Sequence, residues 1–189
     1  LLIWTSALKA SDGGVLVFGG TGQLGSEIVK DLIEADEKFT VFVRPTSDRF
    51  RLGGLDVSYV IGDMLSASDI EKVLTDRPYR AVIDASALAR GGDPNFYIES
   101  QRLISKWAKK TGVSQIILHG AIGAGDSGEM FIFEKVPQMQ RRSIAAKSIA
   151  ETILIGSGVP YTIIRHMTLL PLDIRESGNA KLTRDHGTI

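Results

Sequence analysis

Short apolar runs of strand length alternate with segments of helical period along most of this chain, and that alternation is its main signal. Val15–Phe18 is a β-branched and aromatic run that ends abruptly in glycines, and from Ser26 to Ala35 the residues Ile28, Val29, Leu32 and Ile33 fall at helical spacing. Thr40–Val43 predicts a second strand stopped by Arg44-Pro45, and Val57–Ile61 a third stopped by Gly62-Asp63. Ser66 and Ser68 are candidate N-caps for a helix carrying Ile70, Val73 and Leu74, and Ala81–Ile83 predicts a fourth strand. Asp93-Pro94 opens a long helix through Ile98, Leu103, Ile104 and Trp107, closed by Gly112. Gln115–Leu118 is the fifth predicted strand, a helix follows from Pro137 to Ile155, and Tyr161–Ile164 is the sixth. Such an order predicts an α/β fold: a doubly wound parallel sheet covered by helices on both faces, in three layers.

The turn after the first strand adds chemistry to this frame. In VLVFGGTGQLGSEIVKDLI, Gly20, Gly22 and Gly25 satisfy G-x-G-x-x-G, and Gly19 supplies a second reading, G-x-x-G-x-x-G. One glycine turns the chain, one removes a side chain so that the backbone can approach a pyrophosphate, and one lets the helix pack closely on the strand. A helix opening there presents N–H groups and its positive dipole end to phosphate. Because the motif follows the first strand and opens the first helix, the expected architecture is a Rossmann fold binding a nicotinamide dinucleotide. An NAD site places an acid at the end of the second strand, about 20 residues on. This chain has Arg44 there, with Thr46 and Ser47 beside it and Asp48 close by. A cation suits a 2′-phosphate, so NADP(H) is the expected form.

Composition narrows the partners. The chain has 189 residues, 22 basic and 22 acidic, and no cysteine. Neutral charge argues against a nucleic-acid partner, and the absence of thiols removes disulfides, thiolate nucleophiles and cysteine-zinc sites. Three histidines (His119, His166, His186) without metal spacing predict no metal site. No apolar run approaches the roughly 20 residues of a membrane span. Lack of cysteine fits a reducing compartment, so the cytoplasm is expected, with an organelle left open. Residues 1–13, LLIWTSALKASDG, are read as an N-terminal extension and 14–189 as one dinucleotide-binding domain. After Pro171 the pattern weakens, with Ala180–Thr183 one more short strand; the chain stops where a closing strand and helix are expected, which suggests truncation.

GGTGQLG, VFVRPTSDR, VIGDMLSASDIEKVL, AVIDASA and GVPYTIIR together resemble the NmrA-like, atypical short-chain dehydrogenase/reductase group, neighbours of isoflavone-reductase-like and biliverdin/flavin-reductase-like proteins, over residues 14–170. The resemblance implies that Gly19, Thr21, Gly22, Gln23 and Leu24 surround the pyrophosphate, with Arg44 and Ser47 at the adenosine ribose phosphate. Asp63 and Met64 would edge the adenine, and Ala85, Ser86 and Ala87 would line the ribose. Lys147 would reach the nicotinamide ribose, and Arg165-His166-Met167 would lie beside the nicotinamide.

Two departures from the group bear on catalysis. The Tyr that acts as proton donor four residues before the Lys is here Ser143, and the serine expected after the fifth strand is replaced by Gly120 and Ala121. A serine hydroxyl is a far weaker acid than a phenol of pKa about 10. Lys147 and His166 remain the candidate catalytic residues. His166 follows a strand C-terminus, where ligands lie in open α/β sheets; His119 reads better as a packed strand-end residue. Tyr97 could replace the missing phenol if its helix faces the cleft. Lys147 also reads as an i,i+4 partner of Glu151, and Arg141-Arg142 as a solvated pair or an attractor of acidic substrates. Gly123–Met130 with Phe131 and Phe133 could form a flap over the substrate. Two functions follow. One is an NADP(H)-dependent reductase passing a hydride to a small conjugated acceptor such as a quinone, flavin or enone; the other is a non-catalytic NADP(H) sensor or scaffold that regulates a protein partner. Neither reading fixes an oligomeric state.

Overall fold

Sequences such as VLVF and TVFV have no polar face, so as strands they need cover on both sides. The computed structural model, which describes residues 13–88, 91–130 and 136–166, supplies that cover. The strands are β1 (Gly14–Phe18), β2 (Phe39–Val43), β3 (Tyr59–Ile61), β4 (Tyr79–Asp84), β5 (Gln115–His119) and β6 (Tyr161–Ile164). The helices between them are α1 (Gln23–Glu34), α2 (Ala67–Thr75), α3 (Asn95–Thr111) and α4 (Gln138–Gly156). All strand pairs are parallel, in the order β3-β2-β1-β4-β5-β6, the dinucleotide-binding order of doubly wound sheets.

Strand periodicity sorts the core into two halves. Val15, Val17, Val41, Val43 and Ala81 point to one face and are buried with Val29 of α1. Leu16, Phe18, Phe42, Val82 and Ile116 point to the other, against Ile70 and Leu74 of α2, Ile104 and Trp107 of α3, and Leu154 of α4. The sheet grows one way from β1 to β3 and the other way from β4 to β6. Right-handed crossovers therefore put α1 on one face and α3 and α4 on the opposite one. The reversal between β1 and β4 opens a crevice at the C-terminal strand ends.

Element ends follow local chemistry. Ser66 caps α2, its Oγ accepting from the Asp69 N–H at 3.3 Å. Gly112, at φ 76°, ends α3 in the left-handed conformation that glycine adopts without strain. One boundary differs in a way that matters: α1 begins at Gln23, not Ser26, because the last part of the glycine turn is itself the first helical turn. Residues 1–12, Phe131 and Phe133 of the expected flap, Met167, the Ala180–Thr183 strand and the expected truncation lie outside the described residues. Among the described residues, no helix is long and apolar enough to cross a membrane.

Candidate cofactor and active site

At the C-terminal edge of the sheet lies a cleft of about 510 Å³, within the roughly 300–1,000 Å³ of small-molecule sites. The glycine turn forms its floor. Gly19 takes φ +73°, and a Cβ there would lie 2.6 Å from the Ala85 carbonyl oxygen. The Gly22 N–H donates to Gly19 O at 3.0 Å, closing the turn. No side chain caps α1 at Gly22. Gly19, Thr21, Gly22, Gln23 and Leu24 all line the cleft. Gly20 and Gly25 do not. A Cβ on Gly20 would press on Val41 at 2.6 Å, and one on Gly25 would sit 2.1 Å from Gly19 O, so these two allow packing rather than ligand approach.

At the β2–β3 side, Arg44, Ser47, Asp63 and Met64 line the cleft, joined by Phe42 and Val43. Ser47 and Arg44 close a turn on each other: the Arg44 N–H donates to Ser47 Oγ at 3.1 Å and the Ser47 N–H to Arg44 O at 3.0 Å. The Arg44 side chain stays exposed. Asp48, the nearby acid, accepts from the Phe50 N–H at 2.9 Å and is not a cleft residue. Asp63 is fixed from both sides: its N–H donates to Asp69, and its carboxylate accepts from the Leu65 N–H.

At the β4–β5 side, Ala85, Ser86 and Ala87 line the cleft, with Leu88, Gly92, Phe96 and His119. Ser86 and His119 also border an inner cavity of about 10 Å³, at the lower limit for one water molecule. Its walls include Lys147, Asp84, Tyr97, Gln101 and Glu151. Lys147 Nζ lies 3.5 Å from Gly120 O and 4.9 Å from the centre of the Tyr97 ring. Burial holds its ammonium below the usual lysine range, against the pull of Asp84 and Glu151. Asp84 is only 4% exposed. Burial raises its carboxyl above the usual range, although Ser86 donates to it and Lys147 is near. Tyr97 thus does face the cavity, and its Oη accepts from the Leu88 N–H at 3.0 Å. Ser143 offers no counterpart: its hydroxyl donates to Met139 O at 3.3 Å, along its own helix.

His119 is the packed strand-end residue the sequence leads one to expect, ending β5 against His166. His119 lies in the cleft wall. His166 is stacked flat on it, ring centres 4.0 Å apart at 6°, and is not among the residues lining either space. Burial, then the charges of Lys147 and His166, lower the His119 pKa to about 3. The unfolded imidazole titrates near 6.5, so between these values the unfolded chain binds the proton that the folded chain refuses. Stability carried by neutral His119 is therefore lost as pH falls from about 6.5 to about 3. His119→Phe is expected to flatten that part of the stability–pH curve, compared with the native chain by thermal unfolding at pH 4.5 and 7.5 in ~0.15 M salt.

Glu151 does not pair with Lys147. It is 1% exposed and grips Arg165, with Nη2 at 2.8 Å and Nε at 3.1 and 3.2 Å from its two oxygens, while Arg165 Nη1 reaches Asp126. The Gly125 N–H also donates to Ser148 Oγ at 3.0 Å, and the Gly123 N–H to Ser127 Oγ at 3.0 Å. Over its described part, the glycine-rich stretch expected to move as a flap is thus tied to α4 and to Arg165 just after β6. The sequence reading missed Asp84, Gln101 and the Glu151–Arg165 pair. An acid ending β4 and an i+4 acid after Lys147 were visible, but nothing local marks either as buried.

A glycine turn closing the first strand of such a sheet, beneath a cleft at the strand reversal, defines a dinucleotide-binding α/β protein. The sequence profile of the NAD(P)H-binding family matches residues 19–188, and the chain belongs to that family, in the NmrA-like short-chain dehydrogenase/reductase group. It is 30% identical over 193 residues to sterol demethylase protein B of Methylococcus capsulatus, covering 91% of this chain and 57% of that protein. It is 31% identical over 192 residues to sanguinarine reductase of Eschscholzia californica, covering 80% of this chain and 67% of that one. Among solved structures it resembles the anaerobilin reductase ChuY of Escherichia coli O157:H7, with TM-score 0.68 and 23% identity over 80% of this chain and 71% of that one. The Bordetella bronchiseptica enzyme WbmG in complex with NAD gives TM-score 0.67 at 20% identity, covering 84% of this chain and 54% of that one. The chain spans little more than half the length of several relatives it matches, 57% and 53% for the two sterol-processing proteins.

Proposed function

We propose that this chain binds NADP(H) across the cleft and reduces a small conjugated acceptor. The observation that carries the reading is a single cleft running from Arg44, past the glycine turn, to His119. Gly19, Thr21, Gly22, Gln23 and Leu24 hold the diphosphate through main-chain N–H groups and the positive end of α1. Arg44 and Ser47 take the 2′-phosphate: the serine oxygen accepts the Arg44 N–H and its own O–H remains a donor toward the cleft. Asp63 and Met64 edge the adenine, Ala85, Ser86 and Ala87 line the ribose, and Lys147 reaches the nicotinamide ribose from the inner cavity. When bound, the reduced nicotinamide supplies the hydride. The acceptor class follows from what the site lacks. Without a phenol at Ser143, and with the Tyr97 phenol bordering the inner cavity and not the cleft, acceptors whose reduced form takes its proton from water suit the site better than simple ketones do. The name of sanguinarine reductase supports a reductase.

Arg44→Ala is expected to weaken NADPH by roughly 10- to 100-fold, the worth of a lost charge-assisted hydrogen bond, with little change for NADH. Calorimetry with both nucleotides measures it, and equal losses would remove the preference for the phosphate. The hydroxyl of Ser143, donated along its own helix to Met139 O, favours a second reading, a non-catalytic NADP(H) sensor acting on a protein partner. NADPH oxidation over a panel of quinones, flavins and enones separates the two, because a sensor turns over none of them.

A further inference from the structure

Both ring nitrogens of His119 are shielded from solvent and have no hydrogen-bond partner in the described structure. Natural proteins leave few buried polar atoms unanswered, and each exception calls for a reason such as a ligand or a catalytic role. Here the ring sits where a ligand would answer it. His119 is the last residue of β5, at the carboxyl ends of the strands, and with Ser86 it is shared by the cleft and the inner cavity. Stacking on His166 fixes the plane of its ring. The hydroxyl that the NmrA-like resemblance leads one to expect just after this strand is absent, since Gly120 and Ala121 follow.

We propose that His119 supplies the missing donor: its imidazole N–H binds the carbonyl oxygen of a quinone- or enone-type acceptor and holds the charge that develops there. The inference rests on the reductase reading above. When bound, the reduced nicotinamide would supply a hydride, two electrons with one hydrogen, to the conjugated acceptor, whose oxygen would then carry the negative charge. That oxygen accepts the His119 N–H, and the proton that completes the product comes from water, so His119 neither gains nor loses one. This is stabilisation by a preplaced donor rather than general acid catalysis. Neutral imidazole has one donor and one acceptor nitrogen whichever tautomer is present. The groups around it hold it neutral. Burial opposes a proton first, then Lys147 from α4 and His166 after β6, while Asp84 of β4, Tyr97 of α3 and Glu151 of α4 border the same inner cavity.

The test uses the histidine side-chain ¹⁵N signals of the native chain saturated with NADP⁺, which cannot reduce the probe, on addition of 1,4-naphthoquinone. The His119 signals are expected to stay those of a neutral ring from pH 5 to 8, with the N–H resonance moving as the quinone binds. A ring that titrates in that range, or one that ignores the quinone, overturns the proposal. Failure of NADP⁺ to bind at all is instead a failure of the reductase reading, and calorimetry detects it separately. His119→Phe keeps the stack on His166 and removes both nitrogens. It is expected to leave the NADP⁺ dissociation constant within about twofold while lowering kcat with naphthoquinone about 100-fold, the usual effect of deleting one such donor. His119→Gln, which restores an N–H, is expected to recover part of that loss. Equal rates for the native chain and the Phe variant would also overturn the assignment.

Discussion

Gly22→Val is expected to abolish binding of NADPH and NADH together, by about 100-fold or more in calorimetry, while the chain melts within about 3 °C of the native one. Binding and folding separate here because of where this glycine sits. Its backbone, at φ −75° and ψ 177°, is open to any residue. An added Cβ would meet only Gly19 O, at 3.2 Å, a contact relieved by a shift of a few tenths of an ångström, and Gly22 lines the cleft. Valine would fill the approach to the diphosphate and leave the turn in place. Gly25→Val gives the opposite pattern, since its Cβ would lie 2.1 Å from Gly19 O with the backbone of Gly20 behind it, and the fold itself should fail. Retained dinucleotide binding in Gly22→Val would place the phosphates elsewhere than on this turn.

Glu151→Ala is expected to destabilise the chain by about 3–5 kcal/mol, the effect of removing one partner from a buried ion pair. The carboxylate is 1% exposed and takes three close contacts from Arg165, whose side chain is 22% exposed. Its loss leaves a guanidinium in a poorly hydrated place with, among the described residues, only the more exposed Asp126 to answer it. At about 2–4 °C per kcal/mol for a domain of this size, thermal unfolding should shift by roughly 10 °C. Glu151→Leu combined with Arg165→Met should recover most of that, because removing both charges leaves neither unpaired. A single variant as stable as the native chain would show that the pair contributes nothing to the fold.

The fold was legible because its signal is redundant. Each strand is a run of β-branched residues ended by glycine, proline or a charged residue, and each helix repeats its apolar positions through several turns. The phosphate-binding turn was legible because glycine spacing reports backbone geometry directly. Gly19 at φ +73° and Gly25 against Gly19 O are positions where no other residue fits. The inner end of the site was not. His119, Asp84 and Tyr97 meet Lys147 of α4 from three elements that the sequence keeps far apart, and the meeting depends on how α3 and α4 pack on the sheet. His166 drew attention because it follows a strand end, but so does His119. His119 lines the cleft and His166 stacks on it, a placement that strand position alone does not reveal.

The sheet order has one more consequence. β1 pairs with β4, Leu16 beside Val82, so the centre of the sheet joins two stretches of chain: β1 to β3 with α1, and β4 to β6 with α3 and α4. Such distant pairings form late and slowly in folding. The cleft lies across that seam, taking the glycine turn, Arg44 and Asp63 from the first stretch and Ala85 to Leu88 and His119 from the second. A nucleotide bound there bridges the two stretches and stabilises the folded chain as its concentration rises. Refolding yield and resistance to proteolysis at the β3–α2 crossover should therefore climb with nucleotide supply.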